Sequence, residues 1–188
     1  MEQIRKHFEA NFDLTASDWE VFSSKLTLQQ FPKKHIILNI GKVENYLSFI
    51  ETGIVRFYIP NEESDMTFSF AFPNHFVSAY DSFLSQTPSV YAVETLSETK
   101  LWRLTYDGLQ TIYQDTQIGN LIGRKASEEL FLKKTKRELS LLNHTAEERY
   151  LNLFSERPEL IRHIPLKYIA SYIGITPQAL SRIRRRIS

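Results

Sequence analysis

Gln178, Ser181, Arg182 and Arg185 recur at i, i+3, i+4, i+7, the spacing that gathers side chains on one face of an α-helix. Gln and Arg carry paired hydrogen-bonding groups that match adenine and guanine edges in the major groove of DNA. Leu180, Ile183 and Ile187 form a second, apolar stripe rotated away from the first. Such a helix packs through one face and presents the other. The final seven residues also hold Arg182, Arg184, Arg185 and Arg186 without an acid, in a chain of 188 residues whose formal net charge is only +1. The basicity is therefore local, a small patch suited to phosphates.

The residues upstream supply what must hold that helix. Thr176 is placed as an N-cap and Pro177 at the first helical position, where a missing N–H costs nothing. Gly174 marks a tight turn. Before it Leu166, Ile169, Ala170 and Ile173 make one apolar stripe of a preceding helix. Two helices packed by their apolar faces around such a turn predict a helix-turn-helix. Thr145-Ala146-Glu147-Glu148 reads as a capping box opening a helix through about Glu156, with Tyr150, Leu151 and Phe154 as its core face and Arg157-Pro158 as its stop. Gln117–Leu142 is a long Pro-free helical run, ended by Asn143-His144. A helix of that length has little of its own chain to pack on, so it is a candidate dimerisation seam, with Ile118, Leu121, Ile122 and Leu130 as its contacts.

The first half reads differently. Residues 1–26 look helical, with Thr15 or Ser17 as a cap. Tyr106–Tyr113 makes a further short helix. Between them, from Leu28 to Leu104, short β-rich segments alternate with turns such as Glu51-Thr52-Gly53, which indicates an all-β barrel or roll. The expected division is 1–115, 116–143 and 144–188, in an α+β chain. Enzyme chemistry is hard to place. The absence of Cys excludes disulfides and thiolate catalysis. The five histidines are scattered, so no metal site is expected. Asp81 and Ser82 have no catalytic partner in the local sequence, and no Gly-rich loop points to a cofactor. No segment looks like a signal peptide or a membrane span, so the reading is soluble and cytoplasmic. An alternative is a cupin-like barrel binding a small molecule, but its strands hold His35 alone where a metal triad is needed.

The order of roll, long helix and helix-turn-helix resembles the Crp/Fnr family of bacterial transcription regulators over essentially the whole chain. The residues that carry the resemblance are Gly53-Ile-Val-Arg56, Asn74-His-Phe-Val77, and the run from Ile169 to Ile183. That run and Thr145–Leu151 look most like the branch common in the Bacteroidetes. The resemblance implies a β-roll of cyclic-nucleotide-binding type (a double-stranded β-helix) that senses a small-molecule effector. It also implies a homodimer on a palindromic operator in double-stranded DNA, with RNA polymerase as a further candidate partner. The DNA-contacting positions fall on Pro177, Gln178, Ser181 and Arg182, with Arg182 on guanine and Thr176 on a phosphate. The family's β-hairpin wing is expected to be missing, which leaves phosphate contacts to Arg184, Arg185 and Arg186. In the effector cassette the family's Gly-Glu and Arg-Ser/Thr pairs align with Ser78-Ala79 and Ser89-Val90. Neither the carboxylate for the ribose nor the cation for the phosphate is present there. The pocket, drawn around Ser78, Ala79, Tyr80, Ser89, Val90 and Tyr91, is thus expected to reject cAMP and cGMP. The nearest cation, Arg103, is expected to face solvent.

Overall fold

A computed structural model describes residues 1–187. Two helices open the chain, α1 (Glu2–Glu9) and α2 (Ala16–Ser24). Eight strands follow: β1 (Thr27–Phe31), β2 (Ile36–Leu38), β3 (Tyr46–Thr52), β4 (Val55–Ile59), β5 (Met66–Ala71), β6 (Phe76–Val77), β7 (Ala92–Thr95) and β8 (Thr99–Thr105). A short helix, α3 (Tyr80–Ser85), interrupts them after β6. The rest is helical: α4 (Tyr106–Asp115), α5 (Gly119–Asn143), α6 (Ala146–Glu156), α7 (Pro158–His163), α8 (Leu166–Tyr172) and α9 (Pro177–Ile187).

The chain divides into two compact units, residues 1–57 with 70–127, and residues 58–69 with 128–188. The strands form two four-stranded sheets, ordered β1-β8-β3-β6 and β2-β7-β4-β5, and all of them except residues 58–59 of β4 and 66–69 of β5 belong to the first unit. The β3–β4 turn needs Gly53 at φ +100°, and a Cβ there would strike the Thr99 side chain and backbone. Ile4, Phe8, Phe22, Phe49, Leu104 and Ile112 make one continuous core from α1, α2, α4, β3 and β8. Burying each contributes about 1.5–3 kcal/mol. Thr15 caps α2 and forms a reciprocal capping box with Asp18, whose other carboxylate oxygen accepts the Gln117 N–H at 2.8 Å. Burial would raise the Asp18 carboxyl. The hydrogen bonds from the Thr15 hydroxyl, Gln117 N–H and Thr15 N–H outweigh it and hold the group below its ordinary range.

The second unit packs α6–α9 around Tyr150, Leu153, Leu160, Ile169, Ile173 and Leu180. The helix α8 ends in a Schellman motif: Gly174 takes φ +79°, its N–H bonds the Ser171 carbonyl, and the Ile175 N–H bonds the Ala170 carbonyl. Three consecutive residues at that end are each held by a different element. The Ser171 hydroxyl donates to the Asp65 carbonyl at 2.6 Å and accepts the Thr67 N–H at 2.7 Å, from segment 58–69. The Arg137 guanidinium from α5 donates to the Tyr172 carbonyl at 2.5 Å and lies over its ring. Arg149 from α6 donates to the Ile173 carbonyl at 2.9 Å.

Some expected core faces are shifted. Leu166, Leu151 and Phe154 are exposed, and the core positions are taken by Tyr172 and Leu153 instead. The helix α6 ends at Glu156 with Arg157 as its C-cap, where Arg157-Pro158 is expected to stop it, and Pro158 then opens the short helix α7 at its N1 position. Ile187, placed in the buried stripe, is also exposed. The helix α3 interrupts the span expected to be all β; at its start β1 is held by β8 through the register Thr27↔Arg103 to Phe31↔Thr99. No described helix is long and apolar enough to cross a membrane.

Candidate nucleic-acid interface and effector pocket

The helix α9 begins where Thr176 Oγ1 accepts the Ala179 N–H at 3.2 Å, with Pro177 as its first residue. Leu180, 1% exposed, pins it to the core of its unit. Thr176, Pro177, Gln178, Ser181, Arg182, Arg185 and Arg186 are all exposed. Among the described residues the side chains of Gln178, Ser181, Arg182 and Arg185 make no hydrogen bond or ion pair. They stand on one face with their donors and acceptors turned to solvent. Arg186 differs, because it pairs with Glu147 of α6.

The two segments that carry the expected effector positions are joined through Tyr91 and Asp81, and the polar groups of Ser78, Ser89 and Tyr91 are already engaged. Ser78 Oγ donates to the Tyr46 carbonyl at 2.9 Å. Ser89, 3% exposed, donates to the Tyr91 carbonyl at 2.8 Å. The Tyr91 hydroxyl donates to Asp81. Burial, that hydrogen bond, and the charges of Asp81 and Glu44 push the Tyr91 phenol well above its ordinary value. Ala79 is buried, Tyr80 packs against the helical core cluster, and Val90 is 71% exposed.

At the centre of this cluster stand Glu44, which the sequence reading does not single out, and Arg103, which it places in solvent. Arg103 does not face solvent; it is buried, with its guanidinium over the Tyr46 ring at 3.7 Å and bonded to Gln29 at 2.8 Å. Its Nη2 lies 3.6 Å from Glu44 Oε1, and its Nε has no hydrogen-bond partner. Glu44 is 4% exposed and accepts the Tyr46 N–H at 3.0 Å. Burial pushes its carboxyl up, and the N–H of Tyr46, the Arg103 charge and the N–H groups of Ala79 and Asn45 pull against that without cancelling it. A signal existed for Arg103. Thr99, Leu101 and Arg103 share one face of β8 by period two, and the first two are wholly buried. A second buried pair, Arg56 with Glu94 at 2.8 Å, joins β4 to β7. No group of three or more metal-ligating side chains occurs among the described residues.

Of the expected seam residues, Ile118 lies just before α5 and Leu121, Ile122 and Leu130 lie on it; all four are half-buried, with Ile122 packed against the helical core of the first unit. The apolar side chains it leaves exposed lie further on, at Phe131, Leu132, Leu139, Leu141 and Leu142. Leu132 and Leu139 also line a groove of about 360 Å³ between α5 and α6.

Residues 28–116 match the cyclic nucleotide-binding domain family. Among curated protein sequences none matches the chain. Solved structures share its fold at low identity. A putative transcriptional regulator of the Crp/Fnr family from Eubacterium rectale is 19% identical, with 96% of this chain and 87% of that one covered at a TM-score of 0.71. CLP of Xanthomonas campestris, described as a c-di-GMP-responsive global regulator, is 17% identical over 92% and 91% at 0.70. FixK2 of Bradyrhizobium japonicum is 18% identical over 86% and 84% at 0.70. Residues 28–116 are thus a domain of the cyclic nucleotide-binding type, carried in a chain with the fold of Crp/Fnr transcription regulators.

Proposed function

We propose that this chain is a homodimeric, DNA-binding transcription regulator of the Crp/Fnr family whose effector domain does not take a cyclic nucleotide. The observation that carries the reading is α9. A capped helix exposes Gln178, Ser181, Arg182 and Arg185 on one face, uncommitted, while Leu180 fixes its other face. Side chains of these types can pair with base edges only if they are free and held on a rigid element. The fold shared with the regulators of Eubacterium rectale and Xanthomonas campestris supports the same reading. Thr176 would meet a phosphate, and Arg185 supplies a further backbone contact. Arg186 must first leave Glu147, so it adds less to affinity than its charge suggests.

The dimer is proposed along α5. Leu132, Thr135, Leu139 and Leu142 follow a 3-4-3 spacing along it, the pattern of a two-helix seam, with the three leucines exposed, and half-buried Leu121 continues it in register. A two-fold pairing of α5 would place two copies of α9 for a palindrome. Selection of duplexes from a random pool by the full-length protein tests this. The expected product is a palindrome with half-sites about one helical turn, roughly 34 Å, apart. Recovery of sequences no different from the starting pool would overturn the proposal.

A further inference from the structure

We propose that Glu44 is a resident anion of the effector pocket, and that with Arg103 it occupies the position where an anionic ligand would otherwise sit. The inference rests on reading residues 28–116 as the effector domain and goes further, by naming the residue that sets ligand class. The carboxylate of Glu44 is buried among the elements that define the pocket. It meets backbone N–H groups of Tyr46, Asn45 and Ala79, the last of these at the N-cap of α3. Its own N–H donates to Ser82 Oγ at 3.0 Å, and Ser82 donates in turn to the Thr87 carbonyl at 2.6 Å. Glu44 therefore ties α3 and the loop after it to the start of β3. Arg103 supplies the cation and keeps one buried donor, Nε, in reserve.

A cluster of N–H donors with one guanidinium is the chemistry that binds a carboxylate or a phosphate. In this chain it is filled from within. A cyclic nucleotide would bring a second negative charge beside Glu44, with Asp81 on Tyr91 and the Arg103 guanidinium already paired. Like charges in a desolvated site oppose each other strongly, and displaced Glu44 would have nowhere buried to go. The pocket so built excludes anionic effectors. It tolerates only a neutral or cationic ligand beside Glu44.

The test is refilling of the vacated position in the full-length protein. Glu44→Ala removes the carboxylate and leaves the N–H groups and Arg103. Formate, which replaces the missing group, should raise the melting temperature of this variant saturably, by roughly 5–10 °C at a hundredfold excess over its dissociation constant. Chloride at equal ionic strength should not. The parent should show no formate response and no saturable binding of cAMP, cGMP or inorganic phosphate by calorimetry. In Glu44→Ala/Arg103→Leu the formate effect should vanish. A Glu44→Ala protein that formate does not stabilise, or that stays unfolded in formate and chloride alike, overturns the proposal. So does micromolar cAMP binding by the parent, whatever the variant does. Retention of the same parent preparation on DNA is scored separately, so a failure of the regulator reading shows there and not in the titrations.

Discussion

On the proposed reading, Arg182 is the residue on which sequence specificity turns. It is exposed, unpaired among the described residues, and one turn after Gln178 on the same face. Loss of one bidentate base contact costs about 1–3 kcal/mol, so Arg182→Ala should weaken operator binding by roughly ten- to a hundredfold and relax one base pair per half-site. Competition titrations against single-base variants of the selected duplex check this. Asp18 illustrates the residue scale in the first unit. Its depressed carboxyl stabilises the fold above the ordinary carboxylate range, and that contribution is lost as pH falls through its folded-state value. Asp18→Ala should therefore cost about 0.5–2 kcal/mol at neutral pH, with the gap to the parent closing in acid; urea denaturation at several pH values measures it. Individual residues of this kind were readable in the sequence where their role is local. The Thr145–Glu148 box, the Thr176 cap and the Gly174 turn are set by neighbours three or four positions away. Glu44 and Arg103 are 59 positions apart, and only the pairing of β3 with β8 brings their surroundings together.

At the scale of elements, period and punctuation placed α5, α6, α8 and α9 within a few residues, because each has a cap, a stop or an amphipathic stripe. The helix α3 has six residues and no side-chain cap, and β6 has two, so neither leaves a periodic trace. Which face is buried was legible only where the partner is adjacent in sequence. Leu166 and Phe154 lie on faces that no other element of their own unit covers. The most consequential element is the C-terminal end of α8, where Ser171, Tyr172 and Ile173 are gripped from segment 58–69, from α5 and from α6. Arg149 also bonds the His144 carbonyl at 2.5 Å, so it links the end of α5 to the turn before α9. Charge-assisted bonds to carbonyls at a helix C-terminus contribute about 1.5–3 kcal/mol each. Arg149→Met should lower the melting temperature and weaken binding to all duplexes in proportion. Arg137→Met should loosen α5 from α8 and broaden the half-site spacing that the dimer accepts. Calorimetry, with binding to duplexes of altered spacing, separates the two effects.

For the whole molecule, dimerisation and DNA recognition are one claim, since a palindrome is read only by a two-fold pair. Burying Leu139 across a two-fold axis contributes about 1.5–3 kcal/mol, counted twice, so Leu139→Asp should sediment as a monomer and lose operator binding while the fold is kept. A parent that is monomeric at micromolar concentration would contradict the seam. The most direct measurement is the salt dependence of binding to the selected palindrome and to a scrambled duplex, for the parent and for Arg182→Ala. For the parent the logarithm of the binding constant should fall linearly with the logarithm of salt, with the palindrome tighter throughout. Arg182→Ala should draw the palindrome toward the scrambled duplex, which itself should hardly change. A parent that binds both duplexes equally at every salt concentration, or neither at low salt, would contradict the account.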